Sequence, residues 1–246
     1  MTSLTEKLAS FSASLAYDHV PGEIASQAHR CLLDTVGALL SGSRLSQSGQ
    51  SGRKFADRLG EKGDAVVAGS TLRRSPMTAA FVNGMAAHAL ELDDGSKYAT
   101  YHPGASIIPA CLALGEAEGI SGKKLLEAIT AGYEVSLRIG TAINPGHYLR
   151  GFHPTGTIAS FGTTTAASKI LGLSPELTVN ALGIAGSLAS GINQYEIDGS
   201  ISKHVHPGNA ARNGILAAML ARDGMTGPSE ILEGKLGFFH CFAESA

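Results

Sequence analysis

Two adjacent aspartates and a histidine lie in one short polar segment between two apolar stretches of the chain. The segment runs from Glu91 to Pro103 and contains Asp93, Asp94 and His102. Carboxylates and imidazoles between buried helices cost free energy unless they are paired or take part in chemistry. We therefore expect this segment to form one wall of any active site that the protein has.

Two later polar segments supply further groups of the same kind. One runs from His147 to His153, and the other runs from Asp198 to His206 and includes Lys203. Loops at one end of a helical bundle can converge on one cleft. Carboxylates, imidazoles and a lysine together suit removal of a proton beside a carboxylate, with the lysine holding a substrate anion.

Each of these groups also has a purely structural interpretation. Adjacent carboxylates after a helix, such as Asp93 and Asp94, commonly cap the next element or lie in solvent. The histidines could be capping or core residues, and Lys203 could be an ordinary surface lysine. His204 and His206 could chelate a metal only where alternate side chains share a face. No Cys-pair or His-Glu-x-x-His pattern supports such a site, so we expect no metal.

Composition excludes several classes of function. The 246-residue chain has a formal net charge of −2 and no run of Lys or Arg, so we expect no nucleic-acid partner and no anionic membrane surface. Its three cysteines are widely spaced and its start lacks a basic, apolar leader, which favours a cytoplasmic protein without disulfides. No segment approaches the roughly 18 apolar residues of a membrane span.

Helical periodicity dominates the elements that must position these groups. Apolar residues recur at helical spacing in about nine or ten segments, separated by Gly, Pro and Asn-Pro-Gly signals. A modest strand signal at residues 64–69 is too short to found a sheet. We predict loops at residues 43–52, 147–154 and 192–207, and a short helix at residues 229–233.

The predicted fold is an all-α bundle in one domain, residues 1–246. The stretch from Met77 to Leu92 is apolar on nearly every side, which is typical of a central helix. The 31 glycines are scattered through apolar segments rather than grouped as a linker. Small residues placed in this way allow helices to pack closely together.

Four motifs resemble those of the MmgE/PrpD family. In chain order they are FVNGMAAHALELDD (Phe81–Asp94), HPGAS (His102–Ser106), GFHPT (Gly151–Thr155) and KHVHPGNAARNG (Lys203–Gly214). Their order and spacing are similar to the family's along the whole chain. The family includes 2-methylcitrate dehydratase, cis-aconitate decarboxylase and iminodisuccinate epimerase.

The resemblance implies a large helical domain that is followed, in the family, by a smaller α+β lid, with the active site between them. It also implies a homodimer that moves protons beside a carboxylate of small di- and tricarboxylates, without metal or organic cofactor. The site residues that it implies are Asp93, His102, His153 and Lys203 for catalysis, and Asp94, His206 and Lys203 for substrate binding. His206 matches a motif but has no firm role in the family.

This sequence departs from the family pattern in two places. Gly95 stands where the decarboxylases have a threonine, and the spacer from Asp94 to His102 is more similar to that of the epimerase, so decarboxylation is less expected. The segment Lys235–His240 resembles the family's sequence just before the lid. We therefore expect the lid to be absent from this chain and to come from a second polypeptide, unless the chain works with an open site or is a relic.

The sequence therefore predicts a cofactor-independent dehydratase, a lyase that acts on a small di- or tricarboxylate. One alternative is an epimerase that uses the same proton transfer, and another is a non-catalytic helical subunit that binds a lid-bearing partner. In the predicted mechanism Lys203 polarises a substrate carboxylate. One imidazole of His102 and His153 removes the proton, and the other returns a proton. Asp93 orients an imidazole or a substrate hydroxyl.

Overall fold

Helices form nearly all of the regular structure, which confirms the all-α fold class. The computed structural model describes residues 2–243, so Met1 and residues 244–246 of the predicted domain lie outside the described residues. The helices of the described residues are Leu4–Ser14 (α1), Gly22–Leu45 (α2), Gln47–Leu59 (α3), Pro76–Ala87 (α4), Gly104–Glu118 (α5), Gly122–Ile143 (α6), Gly146–Leu149 (α7), Pro154–Ile170 (α8), Pro175–Leu188 (α9), Gln194–Asp198 (α10), Val205–Arg222 (α11) and Phe238–Phe242 (α12). None of these described helices is both long and apolar enough to cross a membrane.

The minor elements are two 3₁₀ turns and one short hairpin. The 3₁₀ turns are Tyr17–His19 and Ile201–His204. The hairpin pairs β1 (Ala65–Val66) with β2 (Arg73–Arg74) in antiparallel register. Strand β1 lies within residues 64–69, where the sequence gives its modest strand signal, whereas β2 lies outside that segment and was not predicted.

The central element is α8, which packs against α5, α6, α9 and α11. All 17 of its residues are buried, although many of them are Ser, Thr or Gly. The buried hydroxyls of Ser160, Thr164 and Thr165 donate to carbonyls one turn earlier in the helix. Because these polar groups are satisfied within the helix, α8 can be polar in composition and still lie in the core.

Close approach of α4 and α11 depends on two glycines that face each other. A Cβ atom added at Gly84 would lie 2.8 Å from the Cα atom of Gly208, and one added at Gly208 would overlap the carbonyl oxygen of Phe81. Only residues without a side chain allow backbones to approach this closely. The contact fixes the end of α4 beside the beginning of α11, as the scattered glycines predict.

The predicted loop at residues 43–52 is wrong, because α2 continues to Leu45 and α3 begins at Gln47. The small polar residues of this segment serve helix packing. Ser46 caps α3 by accepting a hydrogen bond from the amide of Gly49, with an N···O distance of 2.9 Å. The hydroxyl of Ser43 donates to the carbonyl of Ala68 at 2.6 Å. Serine and glycine here mark a helix–helix contact instead of a solvent-exposed loop.

The other predicted loops and the last predicted helix also differ from the structure. Short helix α7 overlaps the start of the predicted loop at 147–154, and short helix α10 lies within the predicted loop at 192–207. Helix α11 already begins at Val205. Residues 229–233 form turns instead of a helix. The carbonyls of Ile231 and Leu232 accept hydrogen bonds from the amides of Phe238 and Phe239, so they are not available for helical bonds.

Candidate active site

The segment between α4 and α5 is folded back on itself so that its two ends meet. The amide of Ser96 donates to the carbonyl of Tyr101 at 2.9 Å, and the amide of Tyr101 donates back at 3.3 Å. Glu91 and Thr100 have left-handed backbone angles, with φ of 54° and 52°. This fold returns His102 to the neighbourhood of Asp93.

A second backbone contact positions His153 at the start of α8. Its amide donates to the carbonyl of Gly191 at 3.0 Å, and the amide of Asn193 donates to the carbonyl of Gly151 at 2.8 Å. These bonds hold the residues before α8 against the segment that leads into α10. They bring the second predicted polar loop next to the third.

Five imidazoles lie together where these segments meet, and we call them the histidine cluster: His88, His102, His153, His204 and His206. The ring centre of His88 lies 5.0 Å from that of His102, 5.8 Å from that of His153 and 6.0 Å from that of His204. The ring centres of His153 and His206 are 5.0 Å apart. The structure thus brings together three predicted site residues and adds two that were not predicted.

The carboxylate of Asp93 lies behind two of these rings, and its side chain is fully buried. The Nδ1–H of His88 donates to its Oδ2 atom at 2.8 Å, and Nδ1 of His102 lies 3.5 Å from the same oxygen. Its other oxygen, Oδ1, and Nε2 of His88 have no hydrogen-bond partner among the described residues. This position suits a group that orients imidazoles, which is one of the two roles expected for Asp93.

The hydrogen-bond partners of His102 fix its tautomer. Nδ1 lies 2.8 Å from the backbone carbonyl of Asp94, and a carbonyl oxygen can only accept. Nδ1 therefore carries the hydrogen, and the neutral ring has its basic lone pair on Nε2. About a third of the His102 side chain, 36%, is exposed. His102 thus presents a base to the solvent side of the cluster.

His153 and His206 share one hydrogen between their rings. Their Nδ1 atoms are 2.8 Å apart, so one ring donates and the other accepts. Burial, together with the charges of neighbouring groups, lowers the pKa of His153 to about 2. Burial also lowers the pKa of His204 to about 4 and lowers that of His206. These rings are neutral at neutral pH, which is the state that can accept a proton.

Lys203 lies at the exposed side of the cluster, paired with a carboxylate of the chain itself. Its Nζ atom is 2.6 Å from each carboxylate oxygen of Glu91 and 5.9 Å from the ring centre of Tyr195. Tyr195 in turn packs against His153, with ring centres 5.1 Å apart. Lys203 is therefore close to the imidazoles, as predicted, and its ammonium group is already engaged.

Asp94 occupies a different environment from its neighbour. Its Oδ1 atom accepts from the amide of Gly104 at 2.8 Å, and its Oδ2 atom accepts from the Tyr133 hydroxyl at 2.9 Å. Burial raises the pKa of this carboxyl. Asp94 also borders a separate surface pocket of about 560 Å³ beside Cys31 and Asp34. These contacts match the capping interpretation, and the predicted contact of Asp94 with substrate stays a prediction.

His147 lies outside the histidine cluster and has a structural role. Its Nδ1–H donates to the carbonyl of Phe242 at 2.9 Å, and its Nε2 accepts from the Thr157 hydroxyl at 2.7 Å. The ring stacks on Phe152 with centres 5.0 Å apart. The imidazole thereby links α12 to α8, and burial lowers its pKa.

Sequence reasoning missed three residues that the geometry makes prominent: His88, His204 and Glu91. His88 directly follows α4 and precedes Asp93 by five positions. A buried Asp93 carboxylate needs a hydrogen-bond partner, and this need was the signal in the sequence that could have pointed to His88. His204 was considered only as a metal chelator. Nothing in the sequence separates Glu91 from a surface carboxylate, because its contact with Lys203 joins residues 112 positions apart.

The side chains of His88, Asp93 and His102 could together hold a metal ion. His88, Asp93 and His102 each offer one ligand atom, and these atoms lie within 4.8 Å of one another. Imidazole and carboxylate are common zinc ligands. The expected absence of a metal therefore stays a prediction, which metal analysis of the purified protein can test.

Curated relatives match nearly the whole of this chain. The cis-aconitate decarboxylase-like protein oryM of Aspergillus oryzae is 33% identical over 244 residues, which cover 96% of this chain and 50% of that protein. Human cis-aconitate decarboxylase is 33% identical over 246 residues, covering 97% and 50%. The Aspergillus terreus enzyme of the same name is 31% identical over 245 residues, covering 96% and 49%. The chain spans about half the length of the curated relatives it matches.

The family comparison agrees with the four motifs and with the helical structure. The sequence profile of the MmgE/PrpD N-terminal domain matches residues 6–246, a range that includes every motif and every residue of the histidine cluster. The same range contains Asp93, Glu91 and Lys203. The chain belongs to the MmgE/PrpD family.

Proposed function

We propose that this chain provides the helical part of a lyase active site that acts on a small tricarboxylate by proton transfer beside a carboxylate. The observation that carries the proposal is the histidine cluster, a set of closely packed imidazoles beside Lys203. General acid–base catalysis needs such groups near their working proton, and an ammonium group can stabilise the charge that develops.

The N-termini of three helices favour a negatively charged ligand at this position. One residue of the histidine cluster lies just before each of them: His102 before α5, His153 before α8 and His204 before α11. The beginning of a helix carries partial positive charge and unpaired amide groups, which stabilise anions. A polycarboxylate therefore suits the histidine cluster better than a neutral or cationic ligand does.

The proposed roles follow from the positions of the side chains. Lys203 pairs with a substrate carboxylate and lowers the cost of charge on the adjacent carbon. His102 uses Nε2 to take the proton, because its Nδ1 is occupied by the carbonyl of Asp94. The imidazolium formed at His102 returns the proton to carbon or to a departing hydroxyl. His153 is neutral and can return a proton only after it has gained one. Asp93 orients the rings.

Dehydration is the reaction we propose, and two related reactions use the same groups. Epimerisation begins with the same loss of a proton, and decarboxylation ends with gain of a proton at carbon. The three curated relatives are named as decarboxylases or as a decarboxylase-like protein, which supports a lyase acting on a tricarboxylate. The absence of a hydroxyl at Gly95 is our reason for placing dehydration first.

The proposal predicts deuterium exchange at the carbon beside a carboxylate. We expect the purified chain to incorporate deuterium into citrate in D₂O at neutral pH, measured by NMR. Lys203→Met should slow the exchange by at least about 100-fold, since one lost electrostatic contact to developing charge has an effect of that order. Lys123→Met is the matched control, because this lysine is exposed and its contacts, an ion pair with Asp18 and the ring of Tyr17, lie outside the histidine cluster.

Two results would contradict the proposal. The first is an absence of exchange by the folded chain together with copurification of a second, lid-bearing polypeptide, which would favour the non-catalytic subunit. The second is exchange that Lys203→Met leaves unchanged. The mass in solution tests the predicted homodimer in the same preparation, and stoichiometric zinc would overturn the cofactor-free mechanism.

A further inference from the structure

The lysine proposed to hold a substrate carboxylate already holds a carboxylate of the protein. Nζ of Lys203 lies 2.6 Å from both Oε1 and Oε2 of Glu91, a two-oxygen contact of the kind a bound acid would make. Nε2 of His204 lies 3.9 Å from Oε1 of the same carboxylate. The Glu91 carboxylate thus lies between an ammonium group and an imidazole of the histidine cluster.

The fold holds the backbone of Glu91 in an unusual conformation. Its φ of 54° is in the left-handed region, which residues other than glycine rarely adopt. Such a conformation persists only where the surrounding structure imposes it, and it is found most often at functional sites. The alternative, a relaxed surface glutamate that meets Lys203 by chance, requires no unusual backbone.

The charge and exposure of Glu91 allow it to be displaced. Burial raises its pKa, but the hydrogen bond from Lys203 and the charge of His88 outweigh that effect, and the pKa of Glu91 is lower than usual. It is therefore an anion at neutral pH. Its side chain is 53% exposed, whereas that of Lys203 is 20% exposed. The glutamate can turn outward into solvent while the lysine stays in the site.

We propose that Glu91 occupies the position of one substrate carboxylate between Lys203 and His204, and that the substrate binds by displacing it. This inference rests on the proposed function. The subsite consists of Lys203 Nζ and His204 Nε2, and the Ser48 hydroxyl fixes His204 through its Nδ1 atom at 2.7 Å. Glu91 is the residue that determines specificity at this subsite.

The consequence for specificity follows from competition between like charges. A monocarboxylate can form with Lys203 only the ion pair that Glu91 already forms. The displaced Glu91 carboxylate also stays nearby and repels the negative charge of the bound monocarboxylate. A polycarboxylate gains further contacts at the helix ends of the histidine cluster, and these contacts compensate for the displacement. Glu91 therefore selects acids that carry more than one carboxylate, by acting against those that carry one.

Two measurements test this inference, and the probe is tricarballylate, a tricarboxylate without a hydroxyl leaving group. Glu91→Gln is expected to lower its Kd about fivefold, measured by isothermal titration calorimetry, because a partly exposed ion pair no longer has to be broken. Glu91→Gly should do the same, since glycine also adopts the left-handed backbone without strain. Glu196→Gln is the matched control, because Glu196 contacts Tyr195 and is another anion beside the site.

The second measurement follows Lys203 itself and needs no ligand. Limited acetylation with acetic anhydride, read by mass spectrometry, should modify Lys203 faster in Glu91→Gln than in the parent protein, because the amine no longer pairs with a carboxylate. Equal rates would overturn the inference. Tricarballylate binding that Glu91→Gln leaves unchanged or weakens would overturn it while the proposed function stands. Absence of tricarballylate binding by every variant would overturn both.

Discussion

Replacing Gly208 with alanine is expected to lower the free energy of unfolding by about 3 kcal/mol, the upper part of the usual range for overpacking a core. The added Cβ would overlap the carbonyl oxygen of Phe81 and lie 2.9 Å from Cγ of Met85. A backbone carbonyl cannot move aside as a flexible side chain can, so α4 and α11 must separate. Because α4 leads into His88 and α11 begins beside His204, the same change should weaken tricarboxylate binding.

Gly37→Ala in α2 is the matched control, and its effect should have the opposite sign. A Cβ atom at Gly37 would meet no heavy atom of the described residues within 4 Å. Alanine in a helix interior is more favourable than glycine by about 0.5–1 kcal/mol. Urea denaturation followed by circular dichroism measures both variants. Equal stability of Gly208→Ala and the parent protein would show that the two helices do not approach as closely as described.

Acidification from pH 7.5 to pH 5.0 should destabilise the fold by about 2 kcal/mol through His153 alone. Burial lowers the pKa of this imidazole from 6.5 to about 2. Below pH 6.5 the unfolded chain takes up a proton that the folded chain does not, so stability is full above that pH and falls as the pH decreases. The loss continues until the pH approaches the folded-state pKa.

The pH dependence of stability separates this effect from a general weakening of the structure. His153→Gln should reduce the slope of the unfolding free energy against pH by about 1.4 kcal/mol per pH unit between pH 6 and pH 4. Gly37→Ala, which changes no titratable group, should leave the slope unchanged. His204 and His206 act in the same direction, since burial also lowers the pKa of each. Parallel pH profiles for the parent protein and His153→Gln would contradict the buried, neutral state of His153.

The fold class could be predicted from sequence because helical periodicity is a local signal. Nine of the helices correspond to predicted segments, and only short helices or helix ends were misplaced. The error at residues 43–52 has a physical cause. Serine and glycine favour turns in isolation, but here their small side chains allow α2 and α3 to pack, and hydrogen bonds to backbone groups satisfy the hydroxyls.

The site could be predicted only in part. Convergence of the polar loops placed Asp93, His102, His153 and Lys203 in one region, since loops at one end of a bundle tend to meet. The different surroundings of Asp93 and Asp94 could not be predicted. Their side chains contact different partners, and only the tertiary structure brings those partners close. The same reason explains why the ion pair between Lys203 and Glu91 was missed.

The complete burial of α8 has a consequence for how its sequence can change. A helix at the surface accepts substitutions on one face, so its mutational tolerance repeats with the helical period. Every residue of Pro154–Ile170 is buried, so no face of this helix is free to vary. A saturation mutagenesis scan should show intolerance to substitution across this segment, without the helical period. The helix that begins at Pro154 thus has little freedom to evolve.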